Sequence, residues 1–162
     1  MTAPTLPRLS REVRLAAVPE GLPRPEHFRV VEQPLPVPGE GEVLVRNTYF
    51  QVFPALRILV AGGAEGAPLP GLGPGDTLFG PAVGEVVARP GTAGPPVGSL
   101  VSHFLGWREY AVVPAEQCVT LDDGALPDPA AHLSQGSLAY TALTRVAGLR
   151  PGETVFVSGG AG

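Results

Sequence analysis

The sequence predicts a mainly β domain, a small barrel of short strands, followed by the opening of an α/β unit. Three observations carry this. The 22 glycines and 20 prolines, about a quarter of the 162 residues, follow no Gly-X-Y period and coexist with 44% hydrophobic residues and a net charge of only −4. A disordered chain has few apolar residues and strong self-repulsion, so here glycine and proline punctuate a folded one. Short period-2 runs recur between these turn signals as far as about Asp123. Beyond that point a helical pattern leads into a continuous apolar run and a glycine cluster.

In order, residues 12–18 read as a strand stopped by Pro19-Glu20-Gly21, and 27–33 as a second strand ended by Pro34, Pro36 and Pro38. Residues 42–50 form the strongest strand of the first half, rich in β-branched and aromatic residues. Residues 61–75, with six glycines and three prolines among them, are a long loop of the kind that is functional when a compact domain keeps it. Further strands are expected at 83–88, 99–104 and 107–113. Asp128-Pro129 offers a side-chain acceptor at a helix cap and proline at the first helical position. The helix is expected to break near Gly136 and to stop at Gly148. Arg150 to Glu153 reads as a turn, and Thr154 to Val157 as a strand buried on both faces of a parallel sheet.

Several functions are excluded at this stage. Eleven arginines are dispersed along the chain, there is no lysine, and the balance is acidic, which argues against nucleic acid and anionic membranes as partners. No run is long and apolar enough to span a membrane, and the N-terminus carries no apolar signal segment, so a soluble cytoplasmic protein is expected. Cys118 is the single cysteine, and His27, His103 and His132 are remote from one another. No metal site is predicted, and the histidines read as surface or satisfied polar residues. No paired carboxylates and no Ser/His/Asp or Cys/His set point to a hydrolase.

The apolar run Thr154–Val157 followed by Ser158-Gly-Gly-Ala-Gly162 is how a dinucleotide-binding βαβ unit begins, with glycines that admit a pyrophosphate to the next helix's N-terminus. Glycine also ends strands for ordinary reasons, so this motif alone leaves both readings open. The ordered set of segments is more specific. It comprises Phe28-Arg-Val-Val-Glu-Gln-Pro-Leu-Pro36, Gly39 to Phe50, Pro54 with Arg57, Val83-Gly-Glu-Val-Val87, Gly106-Trp-Arg-Glu-Tyr-Ala-Val-Val113, Gly136 with Ala139-Tyr140, and Leu149 to Ser158. In this order the chain resembles the medium-chain dehydrogenase/reductase superfamily, in the zinc-independent branch of prostaglandin reductases, alkenal double-bond reductases and quinone oxidoreductases.

The resemblance implies a GroES-like catalytic domain over 1–124. It also implies the start of a Rossmann NADP-binding domain over 125–162, truncated at its phosphate loop and hence inactive alone. It implies zinc independence, because Gln51-Val-Phe53 and Gly80-Pro-Ala82 stand where a metal-binding member needs ligands. It implies hydride transfer from NADPH to an activated carbon–carbon double bond of an enone or enal, or to a quinone, by a protein that is a homodimer when full length. Without a metal, donors must stabilise the enolate oxygen. The candidate in this half is Tyr49, in the Asn47-Thr-Tyr49 motif; its alternative is an aromatic core residue with a locally satisfied hydroxyl.

Gly159, Gly160, Ala161 and Gly162 are the expected cofactor-binding turn. Four departures from the family pattern are Gln51, Phe53, Ser99 and Leu138. Leu138 stands where a threonine near the nicotinamide is usual, and Ser137 is the residue that could take over its hydrogen bond. Phe53 and Leu138 also motivate the alternative of a member that binds without catalysing. Of the remaining candidates, Arg57 is expected in a structural ion pair, Trp107 and Tyr110 in the barrel wall, Tyr140 in a helix core, and Glu85 and Glu109 solvated or facing arginines.

Overall fold

The computed structural model describes residues 5–66, 69–122, 124 and 126–158. Seven strands organise the first 120 residues: β1 (Leu9–Leu15), β2 (Phe28–Pro34), β3 (Glu42–Phe50), β4 (Ala82–Ala88), β5 (Leu100–His103), β6 (Tyr110–Pro114) and β7 (Val119–Thr120). β1 and β2 form an antiparallel hairpin from Leu9↔Pro34 to Leu15↔Phe28. The other five form an antiparallel sheet in the order β6-β3-β4-β5-β7.

β1 is what joins the two sheets. Its second edge bonds to two separate segments: the Val13 N–H donates to the Trp107 carbonyl at 2.9 Å, and the Leu78 N–H donates to the Val13 carbonyl at 2.9 Å. The Glu109 N–H reaches the Arg11 carbonyl, while the Asn47 N–H reaches the Glu109 carbonyl, so β1, the 107–109 segment and β3 are stitched side by side. This double pairing explains why β1 begins and ends three residues earlier than predicted. The register follows its partners on both edges, which turn Ser10 and Glu12 inward as buried polar residues and stop the ladder at Leu15.

The core has two parts. Val43, Val45, Val86, Val101, Ala111 and Val113 fill the centre of the large sheet. Leu15, Leu72 and Leu78 join Leu56, Leu59 and Val60 of the short helix α1 (Leu56–Val60) in the second part. Residues 61–66 and 69–75 form the expected loop, largely exposed but anchored to the core through Leu72. Leu72 is buried, its N–H donates to the Leu59 carbonyl, and a Cβ on Gly71 would lie 2.0 Å from the Gly62 carbonyl oxygen.

Past β7 the predicted cap forms on a tighter turn. Asp128 Oδ1 accepts the Ala130 N–H at 2.7 Å, and Pro129–Leu133 is a 3-10 helix. The helix then restarts as α2 (Gly136–Thr141), continues as a π-helical turn over Ala142–Val146, and is followed by Gly148 in the left-handed region at φ 64°. Arg150 to Glu153 turns as expected, with the Arg150 N–H donating to Glu153 Oε2. Thr154–Val157 is not the predicted buried strand. Among the described residues no strand lies beside it, and Phe156 is 91% exposed. A parallel strand gains its ladder and both covering faces from neighbouring βαβ units, and none is found among the described residues.

Candidate active site

The candidate site lies at the C-terminal end of β3, where the strand leaves the core. Val43, Leu44 and Val45 are buried, but from Arg46 onward the strand opens to solvent, ending in half-exposed Tyr49 and Phe50. The register against β4 shifts between Leu44 and Val45 and again between Asn47 and Tyr49, within the open stretch. Alternation then puts Tyr49 and Phe50 on opposite faces. Phe50 packs on Trp107 with ring centroids 4.7 Å apart. Phe53 and Phe79 each approach Phe104, at 6.4 and 5.9 Å. Gly80 makes room for this cluster, since a Cβ there would lie 2.6 Å from the Phe53 ring.

Polar groups hold the aromatic wall in place. Asn47 Nδ2 donates to the carbonyls of Leu105 and Arg108, at 3.1 and 2.9 Å, and its Oδ1 faces His103 Nε2 at 2.8 Å. His103 Nδ1 accepts the Leu105 N–H at 3.0 Å, which assigns the proton to Nε2 and makes the imidazole a neutral donor to Asn47. Burial, with a smaller contribution from the Arg108 charge, pushes the His103 pKa down to about 4. Both ring nitrogens are thus engaged, and among the described residues no group of three or more His, Cys, Asp or Glu is arranged to hold a metal ion.

A second polar cluster lies beneath. Glu12 accepts from Arg14 and Thr77 through Oε1 and from Gln33 through Oε2, at 2.6 to 2.7 Å. Burial raises its pKa, but the hydrogen bonds from Thr77 and Arg14 outweigh this and hold the carboxyl below its ordinary value. Arg108 is partly buried nearby, and its guanidinium donates to the carbonyls of Gly106 and Leu78, at 3.4 and 3.3 Å. The expected arginine partners of the two strand glutamates are present: Arg46 for Glu85 and Arg11 for Glu109.

The sequence candidates are dispersed. Tyr49 is 39% exposed, and its hydroxyl has no hydrogen-bond partner among the described residues. Ser137 is exposed on α2 with no bond to Tyr49, and Leu138 and Tyr140 beside it are exposed as well, so Tyr140 is not the core residue expected. Gly159, Gly160, Ala161 and Gly162 lie outside the described residues. Arg57 forms no ion pair among the described residues; α1 turns Leu56, Leu59 and Val60 inward and leaves Arg57 on the solvent side, at the rim of an apolar cleft. Asn47, His103 and Trp107 were not predicted as site residues. The histidine and asparagine are 56 positions apart, and nothing local announces their meeting.

Comparison with known proteins places these features. Residues 11–121 match the family model described as the N-terminal domain of oxidoreductase. The chain belongs to the medium-chain dehydrogenase/reductase superfamily. It is 35% identical over 158 residues to YfmJ of Bacillus subtilis, named for NADP-dependent oxidoreductase activity, covering 94% of this chain and 44% of that protein. It is 30% identical over 155 residues to the NADPH-dependent curcumin reductase of Escherichia coli, covering 91% and 43%. The crystal structure of CurA from Vibrio vulnificus in complex with NADPH superposes with a TM-score of 0.72 at 26% identity, covering 83% of this chain and 40% of that one. The chain therefore spans less than half the length of these relatives, over their N-terminal portion, and its barrel is the GroES-like domain of the superfamily.

Proposed function

We propose that this chain supplies the substrate-facing part of an NADPH-dependent reductase that acts on the activated double bond of an enone or enal, or on a quinone. The observation that carries the reading is the end of β3. There Tyr49, half-exposed and with no hydrogen-bond partner for its hydroxyl among the described residues, precedes Phe50, which turns to the other face and packs on Trp107, in a domain whose relatives include an NADPH-dependent reductase. In this reading residues 1–124 are the catalytic domain, and 125–162 begin the nucleotide-binding domain. The whole protein is a cytoplasmic homodimer, and the 162 residues alone are inactive.

NADPH, when bound, supplies the hydride to the β-carbon. The chain's own work is to seat the acceptor and meet the charge that appears on its carbonyl oxygen. Tyr49 Oη is the donor proposed for that oxygen; a preorganised donor aimed at developing charge is worth ~3 kcal/mol of barrier. The aromatic wall excludes water and orients the conjugated system. Among the described residues the fit to the nucleotide rests on Ser137, whose exposed hydroxyl is free to bond a carboxamide, whereas Leu138 offers no polar atom. Gly159, Gly160, Ala161 and Gly162 are proposed to pass the pyrophosphate.

The test is NADPH oxidation by the full-length protein with a 2-alkenal, an aryl enone and a quinone. Turnover with one of these is expected. Tight NADPH binding without turnover would instead favour a binding protein that has lost catalysis, the outcome that Phe53 and Leu138 motivate.

A further inference from the structure

We propose that Trp107 is a specificity-determining residue, a partition that fixes how long an apolar tail the site accepts on its substrate. This rests on the reductase reading above. Three clefts meet at this side chain, and no other residue borders all three. The first runs past Val13, Val30 and Phe50, and the second past Phe28 and Leu78. The third, about 570 Å³, follows the chain from Val52 through Pro54 to Val60. The second and third are lined mainly by apolar side chains, whereas the first also carries charged Arg11, Glu12, Arg108 and Glu109. The first reaches Phe50 and the third starts at Val52, two residues past the end of β3, so the occupant that fits is the alkyl or aryl tail of a conjugated carbonyl compound.

The position of the indole is imposed rather than relaxed. Trp107 has φ 62°, the single non-glycine residue in the left-handed region among those described, and a bulky side chain is rarely found there. Its neighbours fix its backbone and one face of the ring. Asn47 fastens the carbonyls of Leu105 and Arg108, Val13 bonds the Trp107 carbonyl, and Phe50 packs on the ring. The indole Nε1 is buried and has no acceptor among the described residues. What the arrangement achieves is a fixed flat wall between clefts that would otherwise run together. Backbone strain sustained by surrounding contacts is the pattern found where a side chain must stay put for function.

The test compares kcat/KM of the full-length protein for 2-alkenals of increasing chain length with NADPH, in wild type, Trp107→Phe and Trp107→Leu. Melting temperatures are recorded to separate folding from selectivity. In Trp107→Leu the ratio of kcat/KM for the longest to the shortest tail is expected to rise about tenfold, the scale at which hydrophobic pockets discriminate length, with Trp107→Phe between. If Trp107→Leu fails to fold, Trp107→Phe carries the comparison. A loss by the same factor at every length, or an unchanged profile, overturns the partition while leaving the reductase reading intact. A wild type that turns over no alkenal, enone or quinone overturns the reductase reading, and the partition with it.

Discussion

Asn47 and His103 stand 56 residues apart in sequence and 2.8 Å apart in space, and together they tie β3 to the loop that carries Trp107. The asparagine amide group engages His103 and two carbonyls, so its removal strips several buried partners at once. An unsatisfied buried group costs ~1–3 kcal/mol. Asn47→Ala is therefore expected to lower stability by about 3 kcal/mol, read as a reduced urea midpoint at unchanged slope. A loss below ~0.5 kcal/mol would show that the pair does not bear on the fold.

The same pair makes the protein acid-sensitive. His103 is 7% exposed, and its folded pKa is about 4 against 6.5 when free. The unfolded chain therefore takes up a proton below 6.5 that the folded chain refuses until about 4. Stability from this residue is complete above 6.5 and is lost as pH falls through that window, by about 3 kcal/mol. Urea midpoints measured from neutral pH down toward the lower limit should fall in wild type and fall less steeply in His103→Gln. Equal slopes in the two proteins would assign the effect elsewhere.

Glu12 acts in the next window down. Its carboxyl is held below 4.5, so its contribution is present above that value and disappears as pH falls through the folded pKa. Glu12→Ala, which abandons Arg14, Gln33 and Thr77 in a buried setting, is expected to cost ~3–5 kcal/mol. The half-exposed Arg46–Glu85 pair gives the contrast, since Glu85→Ala should cost less than ~1 kcal/mol. Comparable losses from the two would contradict the difference in burial.

Two glycines offer a steric test. A Cβ at Gly84 would sit 2.4 Å from the Arg46 carbonyl oxygen, in the middle of the β3–β4 ladder, whereas at Gly91 it would meet open space at an ordinary φ. Gly84→Ala should destabilise by more than ~2 kcal/mol through forced backbone shifts. Gly91→Ala should be neutral or gain up to ~1 kcal/mol by restricting the unfolded chain. Thermal melts of the two variants side by side decide this.

For catalysis, Tyr49→Phe in the full-length protein is expected to lower kcat about 10²- to 10³-fold on an accepted alkenal, with little change in KM. A change in KM alone would make Tyr49 a binding residue rather than the donor to the carbonyl oxygen.

Much of the barrel was legible because its signals are local. Residues 42–50 formed the predicted strand, the 83–88 strand lies within one residue of its predicted limits, and Asp128 caps the turn it was expected to cap. Boundaries moved where distant pairing decides them. β1 shifted because two remote segments share its second edge, and β6 begins at Tyr110 because Trp107 leaves the extended region. The candidate site was legible as a strand end and a tyrosine. The clamp behind it was not, because its partners come from two strands that β4 separates and a left-handed tryptophan has no signature in the residue string. The 154–157 segment misled for the converse reason: apolar continuity reports a preference for burial, not the presence of something to bury against.

The doubly bonded β1 also constrains how the chain reaches its final form. Arg11 binds the Glu109 carboxylate 98 residues away, so the second edge of β1 can be fully paired only after residue 109 has emerged. Closing so large a loop carries a substantial entropic cost before any contact returns it. Until then β1 has its hairpin with β2, whose ladder needs nothing beyond Pro34.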